Sequence, residues 1–435
     1  MRTLAEWLAL QESVHPLSID MGLERVAAVA RALRLQRPAS AVLTVGGTNG
    51  KGSVAAHLEA LLRAHGARTG LFTSPHLLRY NERIRIGRAE VEDGALVGAF
   101  ERIEAARGPT TLTFFEYNTL AALYLFAAAQ VDVAVLEVGL GGRLDATNLV
   151  DADVAVLASV GFDHREYLGD SLERIGAEKA GIFRAGRPAV LGTPEMPASV
   201  TSAIEACGAR ALIAGRDFRW RVHSGGWDYL GLGAQLAALP PSSLAGAIQY
   251  RNAATALAAL EALLQGAPLG HGVARARAAL APLSAARVAA ALREVHLPGR
   301  FEIVPGAIEW ILDIAHNEPA ARVLAAQLRE RALPGPGGRT WAVIGVLQDK
   351  DAAAIGRELA AVIDHWIVCA LGGPRGQSAA ALAARLGCAP DRCELAASVP
   401  AGCELARAQS KPGDRVVVCG SLHTVGPARE WLGLY

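Results

Sequence analysis

The sequence predicts an α/β protein with parallel sheets in two domains. Short apolar segments rich in β-branched residues alternate with alanine- and leucine-rich segments of helical length, which is typical of parallel strands joined by helices. The alternation occurs in two clusters, separated by an alanine-rich helical region around residues 270–296. A chain of 435 residues is also too long for a single hydrophobic core. We therefore expect domains at residues 1–296 and 297–435, with the boundary at the Leu-Pro-Gly-Arg segment 297–300.

The elements of each cluster follow from the length and periodicity of the apolar runs. In the first cluster we predict strands at 41–45, 131–138, 154–160 and 189–192. In the second cluster we predict strands at 309–314, 341–346, 365–370 and 415–419. The helices that we predict between them are 54–64, 119–129, 253–264, 320–331 and 352–362. Residues 216–247 give only an irregular pattern with part of a hairpin.

Composition and charge exclude several classes of partner. The net charge of +1 provides no overall field that would attract nucleic acid or an acidic membrane surface. The six cysteines form no CxxC pair and lack the histidine spacing of a zinc module, so we interpret them as reduced thiols of a cytoplasmic protein. The amino terminus has no secretory signal, and the longest apolar run, 119–131, is too short to span a bilayer. We expect no nucleic-acid partner and no membrane partner.

The most informative segment is AVLTVGGTNGKGSVAAH, residues 41–57. An apolar strand breaks into a glycine-rich loop that contains Lys51 and leads into a helical pattern. Loop N–H groups, a helix amino terminus and a lysine together form a site for nucleotide phosphates. The strict GxxxxGK[ST] pattern is not met, because Val45 replaces its first glycine and Gly52 directly follows the lysine. We predict a P-loop mononucleotide-binding domain; the alternative is a glycine-rich turn with a surface lysine.

Several polar residues of the first cluster follow predicted strands, at the edge where open α/β sheets bind ligands. Glu137 closes an apolar strand, where a carboxylate can hold a metal ion, although a strand-end salt bridge is the alternative. His164 follows the next strand and could equally be structural. Lys179 has the spacing of an ordinary solvated helix lysine.

The second cluster has its own candidates at a strand end. Asp313 ends its first strand, and His316 and Asn317 open the next helix, so these side chains either face a ligand at the sheet edge or cap the helix. Arg300 follows the Pro-Gly turn at the domain boundary, where a guanidinium could move onto a transferring phosphoryl group as domains close. The alternative is an arginine that simply follows a turn.

In their order along the chain, these motifs resemble the folylpolyglutamate synthase/dihydrofolate synthase family, a branch of the Mur ligases. The resemblance runs almost end to end, and so many ordered matches are far more specific than one motif. In the amino-terminal part it rests on HPLSIDMGLERV (15–26), VGGTNGKGSV (45–54), TSPHLLRYNERI (73–84), TFFEYNT (113–119), LEVGLGGRLDATN (136–148), SVGFDHREYLG (159–169) and EKAGI (178–182). In the carboxy-terminal part it rests on LPGRFE (297–302), DIAHN (313–317), IGVLQDKD (344–351) and GSLHTVGPARE (420–430).

The resemblance implies roles for individual residues. By this resemblance we expect Mg²⁺ at two sites. Its ligands would be Ser74 of the TSPH segment, Glu137 of LEVGLGG and His164 of the DH motif. The lysine of EKAGI, Lys179, is carbamylated in many members and would act near the second metal. A monovalent cation is a further candidate cofactor. The residues implied to bind ATP are Gly47, Thr48, Asn49, Gly50, Lys51, Gly52, Ser53, Asn252, Arg300 and Asp313.

The resemblance also implies the substrate site and the nature of the second domain. His316 would lie near the nucleotide or the incoming glutamate and, with Lys51, Lys179 and Arg300, would act in catalysis. The carboxy-terminal domain would be a smaller, Rossmann-like α/β domain of the glutamate-ligase type. Family members are often monomers, which we also expect here. The TFFE stretch lines the pteroate pocket in bacterial members, and the implied pocket residues are Thr113, Phe114, Phe115, Glu116, Leu144, Asp145 and Ala146.

The implied reaction is ATP-dependent ligation of L-glutamate to dihydropteroate and to reduced folates through an acyl phosphate. Three alternatives remain open at this point: a ligase limited to one of the two steps, another Mur-type ligase, and a nucleotide switch without ligase chemistry. A cell-wall Mur ligase should carry a UDP-binding domain before the phosphate loop, which here begins near residue 46. A switch would need neither Arg300 and Asp313 nor the second α/β unit.

Overall fold

The structure, a computed structural model, divides into two compact units, each built on its own largely parallel sheet. The residues that the structure describes are 2–17, 19–265 and 270–435. Unit 1 comprises Met1–Ser243 and Tyr250–Val295, and unit 2 comprises Leu244–Gln249 and His296–Tyr435. The predicted α/β fold class is confirmed.

Strands and helices alternate along the first part of the chain. The strands are β1 (Ala41–Gly46), β2 (Thr69–Phe72), β3 (Ile84–Ile86), β4 (Ala89–Glu90), β5 (Val133–Glu137), β6 (Val154–Leu157), β7 (Pro188–Leu191), β8 (Arg210–Ile213), β9 (Arg219–His223), β10 (Gly226–Leu230) and β11 (Gln235–Leu239). The helices are α1 (Leu4–Val14), α2 (Glu24–Ala32), α3 (Lys51–Ala64), α4 (Asp93–Arg107), α5 (Phe114–Ala128), α6 (Arg165–Leu168), α7 (Leu172–Ala180), α8 (Ala198–Cys207), α9 (Ile248–Gln265), α10 (Gly270–Ala279) and α11 (Ala285–Glu294). Short 3₁₀ helices are Tyr80–Arg83 and Ala146–Leu149.

The main sheet of unit 1 has the phosphate-loop strand at its centre. Its strand order is β4-β3-β2-β5-β1-β6-β7-β8; β3 pairs antiparallel with β2 and with β4, and the other pairs are parallel. Val45 of β1 pairs in register with Glu137 of β5 and with Val156 of β6. The carboxyl ends of β1, β5 and β6 therefore meet at one edge of the sheet, where this class of fold binds ligands.

Residues 216–247 contain an antiparallel sheet, with the order β11-β10-β9, where the sequence indicated only part of a hairpin. Four of the five β9 residues are exposed, so β9 lacks the alternation of apolar and polar residues that predicts a half-buried strand. Glu261 of α9 fixes the loop between β10 and β11. Its carboxylate accepts the N–H groups of Leu232, Gly233 and Ala234 and the hydroxyl of Tyr229, at 2.6 to 3.0 Å.

The sheet of unit 2 has the order β12-β13-β17-β14-β15-β16, with only the β12–β13 pair antiparallel. Its strands are β12 (Glu302–Val304), β13 (Glu309–Asp313), β14 (Thr340–Ile344), β15 (His365–Cys369), β16 (Cys393–Ala396) and β17 (Arg415–Cys419). Its helices are α12 (Glu318–Glu330), α13 (Ala352–Leu359), α14 (Ala379–Leu386), α15 (Val399–Gln409) and α16 (Leu422–Trp431), with a 3₁₀ helix at Pro390–Arg392. Asp313 pairs in register with Cys419, so β13 and β17 also end at one edge.

The predicted strands and helices all overlap observed ones, but several ends are shifted. The strand predicted at 154–160 ends at Leu157, and the helix predicted at 119–129 begins five residues earlier, at Phe114. No helix in the described ranges combines the length and the apolar character needed to cross a bilayer.

Candidate active site

The predicted phosphate loop joins β1 to α3. Gly47 and Gly50 have φ angles of +143° and +87°, a region that favours glycine. A Cβ atom on Gly47 would also lie 3.1 Å from the backbone nitrogen of Ser159. Because Gly50 is the N-cap residue, no N-cap side chain satisfies the first-turn N–H groups of α3, which suits an anion site. That first turn buries two further ATP candidates, Gly52 and Ser53.

The segment after β6 holds this loop in place. The Thr48 N–H donates to the carbonyl oxygen of Ser159 at 2.9 Å, and Thr48 Oγ1 donates to the carbonyl oxygen of Gly161 at 3.0 Å. The Asn49 N–H donates to Ser159 Oγ at 3.1 Å. The side chain of Thr48 therefore shapes the loop rather than pointing its hydroxyl at a ligand.

Asn252, the remaining ATP candidate of unit 1, lies on α9 beside the same loop. A Cβ atom added to Gly50 would lie 3.2 Å from Asn252 Oδ1. Asn252 is buried. The structure thus brings together residues that are separated by some 200 positions in the sequence.

Two lysine ammonium groups lie at one carbonyl of the loop. Lys51 Nζ donates to the Gly47 carbonyl oxygen at 2.9 Å and to that of Thr48 at 3.3 Å. Lys179 Nζ donates to the Gly47 carbonyl oxygen at 3.2 Å. Burial, followed by the charge of Lys51, lowers the pKa of Lys179 to about 7. The interpretation of Lys179 as a solvated helix lysine is therefore wrong: it is a buried amine with a large neutral fraction near neutral pH.

The three metal candidates lie at the end of β5 (Glu137) and on the segments that follow β2 (Ser74) and β6 (His164). Glu137 Oε2 accepts the Ser74 N–H at 3.4 Å, so these two residues are in contact. His164 adopts a left-handed backbone conformation, with φ of +49°, and its Nε2 lies 3.9 Å from Asp163 Oδ2. In residues 2–17, 19–265 and 270–435, no three His, Cys, Asp or Glu side chains form a metal cluster. The predicted ligand set contains two such residues, with a serine as the third.

Arg83 is a site residue that reasoning from the individual residues missed. It is buried next to the metal candidates, and its Nε donates to His76 Nδ1 at 2.7 Å. Its guanidinium lies 5.5 Å from the ring centroid of Phe114. Burial lowers the pKa of Arg83, while the charge of Glu137 opposes this effect. The only sequence signal was the segment 73–84, which contributed to the family resemblance.

The TFFE stretch forms the beginning of α5. Thr113 Oγ1 accepts the Glu116 N–H at 3.2 Å, and Glu116 Oε2 accepts the Thr113 N–H at 2.7 Å, which is a capping box. Glu116 Oε1 also accepts from Arg25 at 3.2 Å. The two polar pocket candidates therefore stabilise a helix terminus, and they hold Phe114 and Phe115 in its first turn.

The loop after β5 connects the aromatic candidates to Lys179. A Cβ atom on Gly139 would lie 2.6 Å from Phe115 Cζ, and one on Gly142 would lie 2.8 Å from the Lys179 carbonyl oxygen. Asp145 accepts the Leu140 N–H at 2.8 Å, and burial raises its pKa. The other two pocket candidates in this loop are the half-buried Leu144 and the buried Ala146.

In unit 2, the other catalytic and ATP candidates, Arg300 and His316, lie near Asp313. It accepts the N–H groups of Phe301 and Ala315 at 2.8 and 2.9 Å. Burial raises its pKa, while the charges of Arg300 and then His316 lower it. Asn317, not Asp313, caps α12, by accepting the Ala320 N–H at 3.0 Å.

Comparison with known proteins identifies the family of this chain. The chain matches the family models described as Mur ligase middle domain, over residues 45–192, and Mur ligase, glutamate ligase domain, over residues 299–422. It is 43% identical over 427 residues to the dihydrofolate synthase/folylpolyglutamate synthase of Escherichia coli (strain K12), covering 98% of this chain and 95% of that protein.

Two solved structures are similar along nearly their whole length. The first is E. coli FolC in complex with DHPP and ADP, with 42% identity, a TM-score of 0.91 and coverage of 100% of this chain and 98% of that chain. The second is a bifunctional folylpolyglutamate synthase/dihydrofolate synthase with Mn, AMPPNP and L-glutamate bound, with 40% identity, a TM-score of 0.89 and the same coverage. This chain therefore belongs to the dihydrofolate synthase/folylpolyglutamate synthase family of Mur ligases.

Proposed function

We propose that this chain is an ATP-dependent carboxylate–amine ligase that adds L-glutamate to dihydropteroate and then to reduced folates. The observation that carries the proposal is the phosphate loop with Lys51 and Lys179 on the Gly47 carbonyl, at the sheet edge where β5 presents Glu137. A related enzyme holds a nucleotide analogue, a divalent ion and L-glutamate together. Such a ligase needs the nucleotide and glutamate as two of its substrates and a divalent ion to bind the phosphates.

The reaction has two steps. A carboxylate oxygen of the folate substrate attacks the γ-phosphorus of ATP, so that ADP leaves and an acyl phosphate forms. The α-amine of glutamate then attacks the acyl carbon, loses a proton and expels phosphate, which leaves an amide. No protein side chain forms a covalent bond, so the protein contributes positioning and charge neutralisation.

We assign the nucleotide to the loop of unit 1. Backbone N–H groups of residues 47–53 and the Lys51 ammonium would bind the phosphates. Asn252 would contact ATP beside Gly50. In unit 2, Arg300 and Asp313 would contribute to ATP binding, and His316 would act near the nucleotide or the incoming glutamate. The functional division that we propose is an ATP-binding part, residues 1–296, and a glutamate-ligase part, residues 297–435.

The residues at the end of β5 and after β2 and β6 fit a divalent cation. Glu137 is a buried carboxylate in contact with Ser74, and oxygen ligands with retained waters suit Mg²⁺. We propose Ser74, Glu137 and His164 as ligands, with two Mg²⁺ sites. When bound, the cation neutralises charge on the phosphoryl oxygens. The neutral form of Lys179 could react with CO₂ to give a carbamate that supplies further oxygen ligands. A monovalent cation is a further candidate cofactor.

The pteroate moiety would bind where α5 meets the loop after β5. Phe114 and Phe115 supply aromatic surface for stacking, and the loop residues Leu144, Asp145 and Ala146 would line the same pocket. ATP and glutamate are metabolites of the cytoplasm, where we place the enzyme, and we expect a monomer. Light scattering during gel filtration would check the last point.

The decisive experiment uses purified protein with ATP, Mg²⁺, labelled glutamate and either dihydropteroate or tetrahydrofolate. We expect ADP release that requires both glutamate and the pterin substrate, with labelled products separated by chain length. Activity with only one of the two pterin substrates would show that the enzyme catalyses only one of the two glutamate additions. ADP release independent of glutamate, or no labelled product with either substrate, would exclude the proposed function.

A further inference from the structure

Arg251 places a third cation beside the phosphate loop. It precedes Asn252 on α9, and its Nη2 lies 3.8 Å from the position that a Cβ atom on Gly50 would take. Gly50 is the N-cap residue of α3, where the helix begins at Lys51. The guanidinium thus approaches the amino terminus of α3, to which we assign the nucleotide phosphates.

The surroundings of Arg251 leave its guanidinium without a protein partner. Among the described residues, none makes a hydrogen bond or an ion pair with it. Glu195, on the segment after β7, acts on it only through its charge, and burial lowers the pKa of Arg251. Arg251 is half-buried, and withdrawing a cation even partly from water without a partner is unfavourable. Its position is therefore better explained by an anionic ligand than by support of the fold.

We propose that Arg251 is a nucleotide-binding residue whose guanidinium donates hydrogen bonds to the phosphate groups of ATP that remain in ADP. A planar guanidinium can donate two parallel hydrogen bonds to phosphate oxygens, which an ammonium cannot do. The inference rests on the proposed function, because it needs a nucleoside phosphate in the loop 47–53. It adds a second residue of α9, next to Asn252, to the contacts from α3 and from the loop itself.

The test measures ADP affinity by isothermal titration calorimetry, in the presence of Mg²⁺. We expect Arg251→Gln to weaken ADP binding at least about tenfold, because a charge-assisted hydrogen bond is lost. Arg251→Lys should bind with an intermediate affinity. Arg216→Gln removes the same charge from an exposed side chain paired with Asp217, and its affinity should equal that of the wild type. Wild-type ADP affinity in Arg251→Gln would overturn the proposal.

Two further results separate the possible failures. If the wild-type protein binds no ADP, the proposed function fails, independently of Arg251. If Arg251→Gln does not fold, as judged by circular dichroism, Arg251→Lys decides: its ADP affinity must fall at least about threefold, and an unchanged affinity overturns the proposal. A purely structural Arg251 would lower the unfolding temperature of the nucleotide-free protein while leaving the ADP affinity of the folded variant unchanged.

Discussion

Lys51 and Lys179 donate to the same carbonyl oxygen, that of Gly47, but their loss should have different consequences. Lys51 would neutralise charge that develops on the transferring phosphoryl group. We predict that Lys51→Ala lowers kcat/KM by about 100- to 1000-fold, since one such contact contributes roughly 10² to 10³. Circular dichroism should show a folded protein. Lys411→Ala, which removes an exposed lysine of unit 2, is the matched control; turnover of Lys51→Ala within tenfold of this control would contradict the assignment.

The buried amine of Lys179 should make stability depend on pH. Its pKa falls from 10.5 to about 7 in the folded protein, so between these values the unfolded chain binds more protons and the stability contributed by Lys179 rises with pH. At 1.36 kcal/mol per pKa unit, the cost below about pH 7 is at most on the order of 5 kcal/mol. We predict that Lys179→Met raises the free energy of unfolding near pH 7.

The pH profile provides the decisive readout for Lys179. Urea unfolding in CO₂-free buffer should show that the gain in stability from Lys179→Met shrinks as the pH rises from about 7 towards about 10. A gain that stays constant over this range would show that the amine is not desolvated in the folded state. Carbamylation has the same requirement for the neutral amine, so its extent should increase as the pH rises through about 7.

At the scale of elements, the contact between α5 and the loop after β5 depends on a glycine. A Cβ atom on Gly139 would lie 2.6 Å from Phe115 Cζ, so Gly139→Ala must displace the ring. We predict a loss of about 1–3 kcal/mol in the free energy of unfolding, typical of overpacking, and a raised KM for dihydropteroate with an unchanged KM for ATP.

Gly98 provides the matched control for this substitution. It lies within α4, and a Cβ atom added to it meets nothing within 4 Å. Gly98→Ala should leave both KM values unchanged and stabilise the protein by up to about 1 kcal/mol, because alanine is the better helix former. Equal KM values for dihydropteroate in both variants would argue against the aromatic pocket.

Most buried central strands could be predicted from the sequence, whereas β2 and the edge strands could not. β1 and β17 are mainly apolar and are buried along their whole length, as expected for parallel sheets covered on both faces. β2, with the sequence Thr-Gly-Leu-Phe, has only two large apolar residues, and β16 carries exposed side chains, so neither gives a distinctive periodicity. The start of α5 could have been predicted, because Thr113 and Glu116 have the spacing of a capping box.

Candidate site residues could be predicted from the sequence where the prediction depends only on neighbouring positions in the chain. Glu137 follows from a strand ending in a carboxylate, and Lys51 follows from the loop pattern. Arg83 and Arg251 were missed because their significance comes from contacts with distant segments. Lys179 looked solvated because its helical spacing is ordinary, whereas its burial comes from distant segments of the chain, such as Gly47 and Gly142, that pack against it.

At the scale of the whole molecule, the candidate residues are divided between the two units. Unit 1 carries the phosphate loop and the metal candidates, whereas unit 2 carries Arg300, Asp313 and His316 and matches the glutamate ligase domain model. A ligase built in this way must couple ATP cleavage to amide formation through a shared intermediate. The acyl phosphate is that intermediate in the proposed reaction. Its formation determines which product receives each oxygen atom of the substrate carboxylate.

We predict that dihydropteroate labelled with ¹⁸O in its carboxylate transfers one labelled oxygen to inorganic phosphate in each turnover. The oxygen that attacks the γ-phosphorus becomes the bridging atom of the acyl phosphate, and it leaves with phosphate when glutamate attacks the carbon. The second carboxylate oxygen remains in the amide product. Mass spectrometry of phosphate and product measures both fractions, with unlabelled substrate in ¹⁸O-water as the control for exchange with solvent. If both labelled oxygens stayed in unreacted dihydropteroate while unlabelled phosphate accumulated, ATP would be hydrolysed by water, and the phosphate loop would serve a nucleotide switch rather than a ligase.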